Sequence, residues 1–149
     1  VKERLMESDC SQGFLLDGFP RTVAQAQVLD GILEELGIKL DKVISIELPE
    51  EKILERLTGR RVCTKCGATY HTQYNPPLQE GKCNECQSDL IQRSDDTEAT
   101  VKRRLVVYRE ETAPVITFYD KKELVCHIDG DKPISQVLNS VGQCIGRDL

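Results

Sequence analysis

Apolar residues along this chain repeat at two periods, and the change from one to the other divides it into strands and helices. Phe14, Leu15 and Leu16 between Gly13 and Gly18, the group Val43, Ile44, Ile46 and Leu48, and the stretch Leu124 to Ile128 are short, nearly continuous apolar runs. Runs of this length suit strands of a parallel sheet covered on both faces. Between them the spacing is helical. Val1 to Met6 reads as the end of a helix. Ala26, Leu29, Leu33 and Leu36 recur every three or four residues, with Thr22 placed to cap the helix and Gly37 to stop it. Pro49, Glu50 and Glu51 open a helix that runs to Gly59, because proline suits a first turn and acidic groups suit the positive end of the dipole. Asp95-Asp96-Thr97-Glu98 has the form of a capping box before a long helix striped with Val101, Leu105 and Tyr108. Pro114 should kink or break that helix, since proline has no amide hydrogen to donate. Gly130 and Pro133 lead into a last helix bearing Ile134, Val137, Val141 and Ile145. Strands alternating with helices predict an α/β parallel sheet.

One segment follows neither period. Between Arg56 and Asp96 lie two Cys-x2-Cys pairs, Cys63/Cys66 and Cys83/Cys86, separated by sixteen residues. Four thiolates so spaced can close a tetrahedron around Zn²⁺ and replace the core that a short irregular segment cannot build. With sulfur in every position no site is left for water or substrate, so the metal is expected to be structural. The predicted organisation is a core over residues 1–58, a zinc lid over 59–96 and the rest of the core over 97–149. Arg56, Arg60 and Arg61 precede the cysteines, and Arg93, Arg103, Arg104 and Arg109 follow them. Basic flanks held in register by a metal suggest a lid that binds an anion.

Charge sharpens this. The 149 residues carry a net charge of −5, but residues 51–110 hold eleven basic and nine acidic groups while both ends are acidic. A local excess suits a compact polyanion such as a nucleotide better than a nucleic acid, which would need a broader basic face. No apolar run is long enough to span a membrane and no leader pattern opens the chain, so a cytoplasmic protein is expected. Seven cysteines in two tight pairs plus three favour reduced thiols over a disulfide framework. Cys10, Cys126 and Cys144, in apolar neighbourhoods, are read as inert buried thiols.

Single residues admit two readings. Asp17, at the carboxyl end of the first predicted strand, could hold Mg²⁺ through its water shell or close an Asx turn. Arg21 could clamp a phosphate with its planar fork or stand on the surface. Arg56 and Arg60, four apart on the predicted helix, share a face, whereas Arg103 and Arg104 diverge. All four could equally form a solvated charged face. His71 is expected to pack within the cysteine lobe and His127 to be structural.

Taken together, Asp17-Gly18-Phe19-Pro20-Arg21-Thr22 with Gln25, Leu57 to Cys63, Thr69-Tyr70-His71, Asn75-Pro76-Pro77, Arg93 to Thr97, Val101 to Leu105 and Asp129 to Pro133 resemble the long-lid adenylate kinases whose lid carries four cysteines and zinc. The resemblance covers nearly the whole chain, in the family's order. It implies a P-loop nucleoside monophosphate kinase-like parallel sheet with helices on both faces. It also implies Mg²⁺-dependent phosphoryl transfer from ATP to AMP, giving two ADP, by a monomer that binds neither nucleic acid nor membrane. By the same resemblance Gly18, Phe19, Pro20 and Arg21 line the AMP site and Gln25 meets the adenine. Asp17 acts through magnesium-bound water, Arg56, Arg60, Thr69 and Tyr70 close on ATP, Arg93 and Arg104 bridge the phosphates, and Lys132 lies at the ATP adenine.

The sequence departs from the family at one place. It contains no G-x-x-x-x-G-K-[ST], and its Gly81-Lys82 falls between the cysteine pairs. By the resemblance about seventy residues, including the phosphate loop and a middle strand, precede Val1 in the family. A fragment without kinase activity of its own is therefore expected. The competing reading is a non-enzymatic zinc-ribbon module, which the cysteine spacing alone would permit.

Overall fold

The computed structural model describes residues 1–147. They form two compact units, one made of Val1–Glu47 with the residues from Val107 onward, the other of Leu48–Val106.

The first unit is α/β. Strands β1 (Val43–Glu47) and β5 (Val125–Asp129) pair in parallel, in the register Val43 to Val125 through Glu47 to Asp129. Helix α2 (Val23–Glu35) begins at Thr22, whose hydroxyl accepts the Gln25 amide, and buries Ala26, Leu29 and Leu33. The chain leaves it through Gly37 at φ +67°, a left-handed turn that glycine enters without a Cβ clash. Helices α1 (Lys2–Leu5) and α2 enclose one cluster of Leu5, Leu29 and Leu33. A second joins Ala26 to Val115 and Tyr119 of α5 (Ala113–Asp120), against Val43 and Val125 of the sheet. Tyr119 is fully enclosed and bonds its hydroxyl to Asp30 Oδ1 at 3.2 Å, and burial first, then the Asp30 charge, pushes its pKa up. His127 ties β5 to its neighbours, with Nδ1 2.5 Å from Glu47 Oε1 and Nε2 3.0 Å from Asp120 Oδ1. Glu47 and then Asp120 raise its pKa above the ordinary histidine value.

The structure corrects several sequence expectations. Phe14, Leu15 and Leu16 form no strand. Phe14 and Leu16 do pack against the cluster of Leu5, Leu29 and Leu33 while Leu15 is 83% exposed. Among the described residues no neighbour pairs with it, and an apolar run without a ladder stays irregular. Asp17 therefore sits in an exposed bend and not at a strand end. The Val101 stripe also stops short of Tyr108, because α4 (Glu98–Val107) ends first and Tyr108–Thr112 is π-helical. The Ala113 amide donates to the Tyr108 carbonyl five residues back, a wider turn that admits Pro114 into the first turn of α5. In α6 (Ile134–Ile145) Val137 and Val141 are half-buried, whereas Ile134 and Ile145 are exposed. Cys126 and Cys144 are not free thiols but a disulfide joining β5 to α6, with Cα atoms 6.3 Å apart. Cys10 is half-buried, and Arg4 Nη1 donates to its sulfur at 3.0 Å.

The second unit begins with α3 (Glu50–Thr58), opened by Pro49 with Glu50 and Glu51 in its first turn. A three-stranded antiparallel sheet follows, in the order β3 (Thr69–His71), β2 (Arg60–Cys63), β4 (Leu90–Ile91). Arg60 thus lies on a strand, so it does not share a helical face with Arg56. The helix has already closed at Gly59, whose amide reaches back to Glu55. Nor do Asp95 and Glu98 form a capping box. Ser94–Asp96 is a short 3-10 turn, and Thr97 caps α4 by accepting the Thr100 amide at 3.4 Å. Among the described residues no helix is long and apolar enough to cross a membrane.

Candidate functional site

The cysteines sit on two copies of one turn. After Cys63-x2-Cys66 the Gly67 amide returns to the Cys63 carbonyl, and after Cys83-x2-Cys86 the Gln87 amide returns to that of Cys83. Gly67 and Gln87 both take positive φ, +76° and +60°, the left-handed step that points each pair of sulfurs inward. β2 carries the first pair toward β3, while Tyr70, Cys63 and Cys83 form the small buried core. All four sulfurs lie within 4.8 Å of one another, with contacts of 3.4 Å between Cys63 and Cys86 and 3.5 Å between Cys66 and Cys83. A tetrahedral ion with zinc–sulfur bonds of about 2.3 Å has sulfur–sulfur edges of about 3.8 Å, so the donor set and its spacing fit zinc. Hydrogen bonds from the Ser88 side chain and backbone hold the Cys86 thiol down to about 6, favouring the thiolate a metal needs.

Packing around this centre explains one glycine. His71 Nδ1 accepts the Gln73 and Tyr74 amides at 3.0 and 3.1 Å, which leaves Nε2 to donate to the Glu55 carbonyl at 3.3 Å. The ring is pinned against Gly59, where a Cβ would come within 2.2 Å of Nε2. Gly59→Ala should therefore destabilise this unit by about 1–3 kcal/mol through overpacking. Chemical denaturation reads this as a lower midpoint, and an unchanged midpoint would show that the ring moves aside freely.

Three arginines from separate elements meet at Asp95 and Asp96. Arg60, on β2, grips Asp96 with Nε and Nη2 at 2.8 and 2.7 Å. Arg93, just before the 3-10 turn, grips Asp95 in the same two-pronged way at 2.9 and 3.0 Å. Arg104, on α4, donates to the Asp95 carbonyl at 3.2 Å, with Nη1 3.7 Å from a side-chain oxygen of each aspartate. Asp96 is 0% exposed, and Asp95 is open to water. Hydrogen bonding from Arg93, reinforced by the charges of Arg93 and Arg104, holds the Asp95 carboxyl below the usual range. The same bond to Asp96 raises the pKa of Arg60. Guanidinium forks that grip carboxylates in this way have the geometry that also suits phosphate oxygens.

The other candidate residues fall into place around these centres or in the first unit. Thr69 and Tyr70 lie on β3 beside the cysteines. Tyr70 is buried, its hydroxyl 3.4 Å from Cys83 Sγ and accepting the Asn84 amide at 2.9 Å. Arg56 is half-buried on α3, and Arg61 caps the end of that helix by donating to the Thr58 carbonyl. In the first unit Gly18, at φ +70°, precedes a cis Phe19–Pro20 bond. Arg21 Nε donates to the Gly18 carbonyl at 2.7 Å, and Gln25 Oε1 accepts the Arg21 amide at 2.8 Å. Gly18, Arg21 and Gln25 thus form one hydrogen-bonded loop, with Phe19 packed into the core. Lys132 is exposed in the turn after β5. Sequence reasoning missed Asp95 and Asp96 as partners of the arginines. Their adjacency among basic residues was the available signal, but it was absorbed by the cap pattern.

A model of the family described as Adenylate kinase matches residues 1–124. Adenylate kinase of Moorella thermoacetica is 57% identical over 148 residues, covering 99% of this chain and 68% of that protein. Adenylate kinase of Desulforamulus reducens is 58% identical over 141 residues, 95% of this chain and 66% of that one, and adenylate kinase of Clostridium botulinum strain Hall 53% over 148, 99% and 68%. The chain spans about two thirds of the length of these relatives. It belongs to the adenylate kinase family.

Proposed function

We propose that the protein transfers the terminal phosphoryl group of ATP to AMP, reversibly and with Mg²⁺, giving two ADP. The observation that carries this reading is the meeting of Arg60, Arg93 and Arg104, three charged forks held at one pair of carboxylates, in a chain of this family. Phosphoryl transfer needs no protein nucleophile. An oxygen of the AMP phosphate attacks the terminal phosphorus in line while the bond to the leaving ADP oxygen breaks, and the protein's part is positioning and charge stabilisation. In this reading Arg21 holds the AMP phosphate with Gly18, Phe19 and Pro20 around it, Gln25 selects the adenine, and Arg93 and Arg104 meet phosphates of both substrates. Arg56, Arg60 and Thr69 serve the ATP side, Tyr70, buried against Cys83, serves it by holding β3 in place, and Lys132 faces the ATP adenine. Magnesium arriving with ATP neutralises phosphate charge, and Asp17 would hold its water shell.

The metal proposed for Cys63, Cys66, Cys83 and Cys86 is zinc, with a structural role. Residues 59–96 are proposed as a lid that excludes water from the transferred group, since water competes with AMP as acceptor. The protein as its gene encodes it, given ATP, AMP and Mg²⁺, should form ADP, and ADP should raise its Tm more than an oligonucleotide does. No ADP formation together with stabilisation by the oligonucleotide would replace this reading with that of a zinc-ribbon binding module.

A further inference from the structure

Resting on the phosphotransferase reading above, we propose that Asp95 is a built-in stand-in for ligand phosphate, holding Arg93 and Arg104 until a polyphosphate displaces it, while its neighbour Asp96 is a permanent anchor that positions Arg60. The two carboxylates are adjacent and both engage an arginine through two parallel bonds, so their difference lies in burial.

Asp95 is 39% exposed and its partners Arg93 and Arg104 are about half exposed. Water reaches all three groups, so exchanging this carboxylate for another anion strands no charge in a dry interior, and exposed pairs of this kind are individually weak. The fork of Arg93 that spans both oxygens of Asp95 is the geometry with which arginine meets two oxygens of a phosphate. Without ligand, the carboxylate keeps two like charges from repelling and holds both side chains near one point.

Asp96 behaves oppositely. Its side chain is fully enclosed, Arg60 supplies both hydrogen bonds described for it, and Arg104 stands 3.7 Å away without bonding it, so releasing Arg60 would leave a buried carboxylate with no hydrogen bond. Arg60 therefore stays where Asp96 aims it, leaving its remaining donors for ligand. The backbone permits the division. Asp95 is the middle residue of the three-residue turn Ser94–Asp96, flanked by extended Arg93 and Thr97 at ψ 147° each, and the turn is closed by the Asp96 amide on the Arg93 carbonyl.

Opposite signs are expected from the two isosteric substitutions, measured by titrating inorganic tripolyphosphate onto the protein as its gene encodes it at fixed ionic strength. Asp95→Asn removes the competing anion and should lower the tripolyphosphate Kd about twofold to fivefold, the range of a weak exposed ion pair. Its KM for nucleotide should fall in step while kcat does not rise, because ground state and transition state gain alike. Asp95→Glu should restore the wild-type Kd, and Asp96→Asn should raise it. Should Asp96→Asn fail to fold, the Asp95→Asn and Asp95→Glu pair decides alone. Unchanged or weaker binding by Asp95→Asn in a protein that still forms ADP overturns the stand-in role only. A wild-type protein that neither forms ADP nor binds tripolyphosphate overturns the phosphotransferase reading together with it.

Discussion

Stripping the metal from Cys63, Cys66, Cys83 and Cys86 is expected to unfold the segment from β2 to β4 while the first unit keeps its core. The reason is the smallness of what else holds this segment. Its buried cluster is Cys63, Tyr70 and Cys83, two of them proposed ligands, and its strands are four, three and two residues long. Structural zinc contributes about 10–16 kcal/mol of binding free energy, most of it realised as folding. Four packed thiols without a cation also repel once they ionise. Hydrogen exchange at the amides of Cys63, Gly67, Cys83 and Gln87, all bonded within the two turns, should accelerate by at least about 10³-fold after chelation, since even a partial loss of the metal's contribution opens the segment locally. Amides of α2 and α5 should change little, because Ala26, Leu29, Val115 and Tyr119 pack without the metal. Cys83→Ser should reproduce the effect and lower metal content measured by elemental analysis. Equal protection with and without chelator would remove the structural role assigned to the metal.

Arg104→Ala should lower kcat for ADP formation by about 10²–10³-fold, as expected when one donor to transition-state charge is lost. Its fold should survive, because Arg104 is half exposed and its one close hydrogen bond is to a backbone carbonyl. Arg60→Ala makes the contrast. Activity should fall similarly, but Asp96 would then be buried without a hydrogen bond and with Arg104 only at 3.7 Å, a loss of up to about 3–5 kcal/mol of stability. Comparing denaturation midpoints of the two variants separates charge stabilisation from folding. Arg104→Lys should recover little, since a compact ammonium lacks the planar fork with which a guanidinium meets two phosphate oxygens. An Arg104→Ala protein within about threefold of wild-type kcat would exclude this arginine from the transition state.

Features whose causes are local in sequence were legible in advance. Helix α2 announces itself through the Thr22 cap, the spacing of Ala26, Leu29 and Leu33, and the glycine that stops it, all within sixteen residues. The cysteine centre is legible because two short turns, each built by its own four or five residues, present the sulfurs in pairs. The loop from Gly18 to Gln25 is likewise closed by bonds between near neighbours.

What could not be read are partnerships between distant residues. Phe14 to Leu16 has the composition of a strand, but a strand is defined by the chain beside it, and among the described residues none pairs with it. Cys126 and Cys144 have the surroundings of buried thiols until β5 and α6 bring them together. Arg60 and Asp96 stand 36 residues apart, so no spacing rule could pair them, and the cap pattern at Asp95 to Glu98 pointed to a different use for the same carboxylates.

The sequence by itself determined the α/β class, the helix limits around α2 and α3, and a four-sulfur centre, because hydrophobic period, capping and turn chemistry act over a few residues. Tertiary structure alone decided which carboxylate each arginine faces and which of the two adjacent aspartates is sealed from water. Burial and long-range ion pairing belong to the packed chain, and they separate Asp95, which can exchange its arginines, from Asp96, which cannot.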